Sequence, residues 1–343
     1  MKSNVNRPRN RIYIIGRALL LCAALLLPNI SAGEVEAARP ILSGDALAPL
    51  TPEAIWLVDT LADSGPGSLR AALAGAAAGD RIEFDATIFP PENPGTISIL
   101  SELPHITKDG LTIDAVGRGV ILDGSGLPTD NTVGLWLDAD NITIQGLHVL
   151  NFPTNGISLF VSANSLIGGD WLASEGNVVS GNGWSGIELY GLSTSNNVIA
   201  GNILGADPSG LAAMPNGSNG ILVMNGANHN TIGGLLPGYE NLISGNGGNG
   251  IVIKGNGSDH NVIQGNLIGT DLSGDGTLGN GTGINIYLGP NDTLVGGDTP
   301  AARNVIAGSD RAGVQIRGIS TDDTLVRGNY CLLYTSPSPR DRS

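Results

Sequence analysis

One short phrase recurs along this chain and leaves few folds open to it: glycine, a branched aliphatic, any residue, another aliphatic. It reads Gly156-Ile-Ser-Leu159, Gly186-Ile-Glu-Leu189, Gly220-Ile-Leu-Val223, Gly250-Ile-Val-Ile253, Gly283-Ile-Asn-Ile286 and Gly313-Val-Gln-Ile316. Two weaker copies precede these, Gly110-Leu-Thr-Ile113 and Gly134-Leu-Trp-Leu137. The glycines are separated by 24, 22, 30, 34, 30, 33 and 30 residues, a base step near 22 with insertions in the later copies. A fixed period in this range marks a solenoid, and period-two apolar alternation within each copy makes the unit one of strands.

A second phrase follows about ten residues on, as in Asn141-Ile-Thr-Ile144, Asn164-Ser-Leu-Ile167, Asn197-Val-Ile199, Asn230-Thr-Ile232, Asn261-Val-Ile263, Asp292-Thr-Leu-Val295 and Asp323-Thr-Leu-Val326. A third closes several units: Asn177-Val-Val-Ser-Gly-Asn182, Asn241-Leu-Ile-Ser-Gly-Asn246 and Asn304-Val-Ile-Ala-Gly308. Three short strands per turn, bent at Gly and Asn, describe one coil of a parallel β-helix; both residues tolerate positive φ at the bends. Stacking places equivalent positions ~4.8 Å apart, so the aliphatic residues form buried ladders and eight coils make a column ~38 Å tall. The Asn and Asp residues that start the second strand are expected to form one polar ladder, each amide bonding the next. This is an all-β chain.

Both ends are set apart before composition is used. Residues 1–32 have the pattern of a secretory signal, with a basic start (Lys2, Arg7, Arg9, Arg11, Arg17), an apolar run from Ala18 to Leu27, and cleavage expected after Ala32 or as late as Ala38. That run is too short to span a bilayer, so no transmembrane segment is expected in the mature fragment. The tail Cys331-Leu-Leu-Tyr-Thr-Ser-Pro-Ser-Pro-Arg-Asp341 resembles a translated transposase adapter from sequencing libraries. Residues 331–343 are therefore expected to be a read-through artefact, with further C-terminal domains missing beyond Tyr330. The remaining segment, 33–330, has no cysteine and carries 10 Lys+Arg against 30 Asp+Glu, net −20. Disulfides and thiolate metal sites are excluded, and such acidity argues against nucleic acid and anionic membranes as partners. It suits a secreted or cell-surface protein.

Taken in order, 33–55 reads as a flexible lead-in, and 56–105 as an N-terminal cap with the first strands: Trp56–Thr60, a helix from Leu69 to Ala78, then Arg81–Phe84 and Thr96–Ile99. The helix is expected to cover the open, apolar end of the column. Regular coils fill 106–330. The run Asp59-Thr-Leu-Ala-Asp-Ser-Gly-Pro-Gly-Ser-Leu-Arg70, with the Asn-Val-Ile-Ser-Gly-Asn and Gly-Thr-Asp-x-x-Gly coils, resembles bacterial secreted proteins of the right-handed parallel β-helix, pectin-lyase-like class. The resemblance covers about 56–330 and implies a right-handed solenoid of parallel β-helix repeats. It leaves activity open, because that fold hosts lyases, hydrolases, epimerases, tailspikes and adhesins.

Alternation aims two rows of side chains outward from the Gly-Ile strands. One is Thr112, Trp136, Ser158, Glu188, Leu222, Val252, Asn285, Gln315; the other is Asp114, Asp138, Phe160, Tyr190, Met224, Lys254, Tyr287, Arg317. Enzymes of the resembled class bind glycans on this face. If this chain is an enzyme, Asp114, Asp138, Glu188 and Lys254 are its candidate catalytic residues; hydrolysis would need two carboxylates ~5 to 9.5 Å apart. The polygalacturonase motifs are not matched beyond Asp322-Asp323, which lies in a turn. Trp136, Phe160, Tyr190 and Tyr287 are candidates for stacking against sugar rings, unless the insertions fold over them. Of four histidines, His229 and His260 are placed to stack; His105 and His148 carry no recognisable motif.

Two insertions share a phrase 64 residues apart, Gly205-Ala-Asp-Pro-Ser-Gly210 and Gly269-Thr-Asp-Leu-Ser-Gly274. Asp271, Ser273 and Asp275 resemble the opening of a calcium loop, although Thr282 stands where its bidentate Glu belongs. No cofactor is required, and Ca2+ is the one ion with a candidate site. The leading expectation is an exported, non-catalytic, adhesin-like module binding surface or extracellular polysaccharide. The alternative is a polysaccharide lyase or glycoside hydrolase on the same β-helix.

Overall fold

The structure, a computed structural model, describes residues 54–128, 132–274 and 276–332, all within one compact unit, Pro49–Ser343. The expected signal segment, most of the expected lead-in and residues 333–343 lie outside the described residues. The architecture is a parallel β-solenoid of about nine turns. Three sheets of ten, nine and seven strands run its length, and every strand pairs in parallel with its equivalent in the neighbouring turn. We call them sheet A (the Asn-x-Ile strands), sheet B (the Asn-Val-Ile-Ser strands) and sheet C (the Gly-Ile-x-Ile strands).

The inward residues form the expected ladders. In sheet C, Ile157, Ile187, Ile221, Ile251 and Ile284 are fully buried; Ile144, Ile167, Ile199, Ile232 and Ile263 are their counterparts in sheet A. Before the regular turns, Leu69–Gly75 forms a helix shorter than expected, with Ser68 as N-cap accepting from Ala71 N–H and with Leu69, Ala72 and Leu73 buried. Asp80 ties this region together by accepting from Ala54 N–H, Ala77 N–H and Trp56 Nε1. The first strand spans Ile55–Val58, taking in the last residue of the expected lead-in. Tyr330–Leu332 pairs with Val305–Ala307, so the first two residues of the suspected adapter tail continue sheet B.

Two details of register differ from the sequence reading. Thr112–Asp114 does not belong to sheet C; it pairs with Arg81–Phe84 and Thr143–Gln145 in sheet A. The rung that precedes Leu135–Leu137 in sheet C is instead supplied by Ile106, bridged to Leu137 and following a proline and a histidine rather than a glycine. The second difference is that three amide ladders exist, one at each corner. Between sheets A and B, Asn177, Asn202, Asn241, Asn266, Asn304 and Asn329 each donate to the next at 2.8–3.1 Å. Between B and C the run is Asn182, Asn216, Asn246, Asn280. Between C and A it is Asn197, Asn230, Asn261, begun by Ser165.

Asn141, Asn164, Asp292 and Asp323, expected in the last ladder, stand one residue before it at φ between 51° and 59°. They share that column with Asn196, His229 and His260; the two imidazoles lie 4.6 Å apart but tilted by 35° rather than stacked. Two adjacent polar columns had been merged into one.

Loop lengths alternate. Long connections lead into sheet B at 169–177, 234–241 and 297–304, while the intervening turns enter it through two residues, 201–202 and 265–266. Those intervening turns carry the long exits, after Ile203–Leu204 and Leu267–Ile268. The true repeat is therefore two coils, and it explains the 64-residue echo in the sequence.

Asn202 carries the test of the ladders. Its Oδ1 accepts from Asn177 N–H and Nδ2, and its Nδ2 donates to Ile167 O, Ala200 O and Asn241 Oδ1. Asn202→Leu strands several buried groups at once and is expected to cost ~3 kcal/mol or more, at ~1–3 kcal/mol for each unsatisfied group. Chemical denaturation of the variant against wild type reads this directly; a loss under ~1 kcal/mol would show that the ladder does not carry the corner.

Candidate functional site

Sheet C places most of the expected residues as anticipated. One outward row runs Trp136, Ser158, Glu188, Leu222, Val252, Asn285, Gln315. The adjacent row runs Tyr190, Met224, Lys254, Tyr287, Arg317, with Asp138 and Phe160 one residue beyond the paired strand ends. Thr112 and Asp114 leave both rows with their move to sheet A. There Asp114 meets Arg81 Nη2 at 2.8 Å and accepts from Val116 N–H. Asp138, on sheet C, accepts from Trp136 Nε1 at 2.8 Å and lies 3.3 Å from His105 Nδ1. The Asp114–Asp138 pair is not assembled.

The aromatic residues turn their faces to one another. His105 stacks on Trp136 at 4.9 Å and 8°, Trp136 meets Phe160 at 5.2 Å, and Phe160 stacks on Tyr190 at 4.7 Å and 5°. Tyr287 is covered by the Arg317 guanidinium at 4.9 Å. Rings spaced by a strand repeat of ~4.8 Å sit near van der Waals stacking distance, so a run of them forms a rib with only its edges outward. Trp136 and Phe160 each meet rings on both sides, and Tyr190 and Tyr287 each have one face covered.

Glu188 is the chemically distinctive group of this face. Burial pushes its carboxyl above the ordinary range; the Ser158 hydroxyl, the Lys254 ammonium and the Asn155 amide pull it back in part. Asn155 Nδ2 donates to it at 2.7 Å. Its neighbours along the row are Ser158 and Leu222, so it has no carboxylate partner on an adjacent rung.

The calcium candidate is a self-contained turn. Asp271 accepts from Ser273 Oγ at 2.6 Å, and this bond with the backbone N–H groups of the turn holds its carboxyl below the usual range. Asp275 lies outside the described residues. Asp207 does the same in the first insertion, accepting from Ser209 Oγ and from Leu211 and Ala212 N–H. Among the described residues, no group of three or more His, Cys, Asp or Glu side chains is arranged to hold a metal, and no helix is long and apolar enough to cross a membrane.

A concavity lies on sheet B, where no site was expected. Its floor is the outward row Ile121, His148, Val178, Ile203, Leu242, Leu267, Val305. The long loops that enter the sheet stack into one wall, with Trp171 N–H donating to Gly238 O; the loops that leave it stack into the other, with Leu272 N–H donating to Gly210 O. Two cavities of about 340 and 270 Å³ share Glu240; the first lies between the two walls, the second against the entry loops. The first is lined by Gly201, Asn202 and Ile203, the second by Gly265, Asn266 and Leu267, the same positions 64 residues on. The groove therefore repeats every two rungs, ~9.6 Å by the strand spacing.

Its polar groups are few. Arg118 stands at one end and Arg303 at the other, with His148 and Glu240 between. Burial lowers the His148 pKa, keeping the imidazole neutral, and its Nδ1 has no partner. Trp171, 37% exposed on the wall, stacks on no other ring among the described residues.

No protein-family profile and no curated protein matches the chain. Among solved structures it is similar to the A-module of the Azotobacter vinelandii mannuronan C-5 epimerase AlgE4 (14% identity over 80% of this chain and 84% of that one, TM-score 0.46). It is also similar to pectate lyase Pel9A (15% identity, 82% and 80%, 0.44) and to an alginate lyase from Paenibacillus sp. (16%, 80% and 99%, 0.28). With every score below 0.5, the fold assignment rests on the strand register alone.

The raised carboxyl gives a pH test. A Glu whose pKa rises on folding favours the folded state when protonated and loses that advantage as pH climbs above the unfolded value, ~4.3. Glu188→Gln keeps an acceptor for Asn155 and never ionises. It is expected to be more stable than wild type at pH ~7, with the difference vanishing below pH ~4, in thermal melts across that range. Equal melts at both ends would contradict the burial account.

Proposed function

We propose that this chain is an exported, non-catalytic β-helix module that binds an extended surface or extracellular polysaccharide along the groove of sheet B. The observation that carries the reading is the repetition of the groove. Two cavities that share a repeated Gly-Asn-aliphatic stretch, ~9.6 Å apart along the column, suit a polymer with its own repeat better than a single small molecule. Aliphatic floor residues and the free Trp171 suit the C–H faces of sugar rings, while Arg118 and Glu240 in the lining offer polar groups to hydroxyls. A peptide strand lying along the groove would cross the strands of sheet B at right angles, where no backbone partners are free.

The placement of the candidate acids supports the non-catalytic half. Asp114 is spent on Arg81, Asp138 on Trp136 and His105, and Glu188 has no carboxylate beside it on its row.

A glycan array with the purified protein, followed by product analysis on each hit, tests both halves. Binding is expected without new reducing or unsaturated ends. Trp171→Ala is expected to weaken it about tenfold, the loss of one aromatic platform, while Tyr190→Ala leaves it unchanged. Released oligosaccharides would overturn the non-catalytic reading. Binding lost with Tyr190 and kept without Trp171 would move the site back to sheet C.

A further inference from the structure

Sheet C has a property that neither stacking nor the groove explains: the outer of its two outward rows is complementary to its own reverse, whereas the inner row opposes Trp136 to Gln315 and Glu188 to Val252. Numbered from the middle rung, the outer row reads Asp138, Phe160, Tyr190, Met224, Lys254, Tyr287, Arg317. Reversed on itself, it opposes Asp138 to Arg317, Phe160 to Tyr287, Tyr190 to Lys254, and Met224 to Met224. The next residue of each strand extends the pattern: Ala139, Val161, Gly191, Asn225, Gly255, Leu288, Gly318. Here small residues oppose small ones at the ends, Val161 opposes Leu288, and Gly191 opposes Gly255.

We propose that sheet C is the interface of an antiparallel homodimer, with a second copy of this chain related by a two-fold axis through the Met224 rung. Such an axis maps each row onto itself in reverse, the self-complementarity an isologous contact demands. Charge is matched as well as shape. At the ends of the outer row the axis brings Asp138 of one copy to Arg317 of the other, a match of opposite signs that only an antiparallel copy makes. Aromatic residues, Met and Arg are also the types enriched at interface cores.

An independent observation comes from Leu288. It adopts φ +62° in a column whose other left-handed members are Gly191, Asn225, Gly255 and Gly318, and it is 59% exposed. A leucine there costs ~1–2 kcal/mol relative to glycine, and its side chain packs against little in the monomer. Val161, its opposite in the reversed row, is 48% exposed. In the dimer each covers the other twice, once on either side of the axis, while the facing glycines let the backbones approach.

The face spans six rung spacings, ~29 Å, by roughly 10 Å across, or about 300 Å² a side; that is less than the ~800 Å² a side of a standard specific interface and puts the dimer in the weak, reversible class. The groove lies on sheet B, so dimerisation leaves it open and the two proposals fail independently.

Sedimentation velocity of the full chain over a wide concentration range, with reductant present to keep Cys331 from cross-linking, tests the interface. Wild type is expected to pass from monomer to dimer with rising concentration. Val161→Glu and Leu288→Lys, both at exposed positions, are each expected to weaken dimerisation about tenfold or more. Their combination is expected to restore it, because each new acid then faces a new base across the axis. A wild type that stays monomeric throughout, single variants that dimerise normally, or a double variant no better than the singles would each overturn the proposal.

Discussion

The structure depends on hydrogen bonds directed along the column axis. Strand ladders supply them within each sheet, but a coil must also turn three corners, and a corner has no sheet to satisfy its backbone. Here the asparagine side chains take over: each amide accepts from the asparagine of the preceding turn and donates to the next, closing the gap with buried, saturated groups. Because an amide reaches only one rung, the ladders fix the rise and forbid slippage between turns. Insertions are tolerated only where chain can leave and return between two ladder positions. The loops at 169–177 and 234–241 end on Asn177 and Asn241, and the exit after Leu204 returns through Asn216. Those loops are pinned at their bases, which is what makes stacked walls of them.

A column that repeats its rungs also repeats its surface, and the consequences depend on the side chain. Aromatic residues in one row collapse onto one another, as His105, Trp136, Phe160 and Tyr190 do, and so withdraw the faces between them from solvent. Aliphatic residues in one row make a continuous floor, as Val178, Ile203 and Leu242 do on sheet B. With loops alternating on a two-coil period, that floor is divided into equivalent cells. A repeating surface can recognise a repeating ligand or a reversed copy of itself, and the two proposals above assign one option to each face.

The inward residues were legible in the sequence because alternation and burial say the same thing: every Gly-Ile-x-Ile isoleucine from Ile157 to Ile284 is buried. Gly110-Leu-Thr-Ile113 misled because strands of sheets A and C share one apolar pattern, and only pairing partners distinguish them. The actual rung, at Ile106, lacks the glycine that marks its fellows. Neighbouring polar columns were merged because Asn occupies both the left-handed corner and the ladder beside it, as Asn196 and Asn197 show. The groove was harder to see, since its walls come from loops distant in sequence and its floor resembles core. A signal existed nonetheless. Val178-Val179, Leu242-Ile243 and Val305-Ile306 are consecutive apolar pairs, and on a strand one member of each must face outward.

The central claim is that ligand recognition sits on sheet B rather than on the aromatic rib of sheet C. Hydroxyl-radical footprinting of the protein, free and saturated with a polysaccharide it binds, tests this most directly, because both surfaces carry reactive aromatic or aliphatic side chains in view of solvent. The account predicts protection of Trp171, Leu235, Leu236 and Leu272, with Phe160 and Tyr190 unchanged. Protection of Phe160 and Tyr190, with Trp171 as reactive as in the free protein, would contradict it.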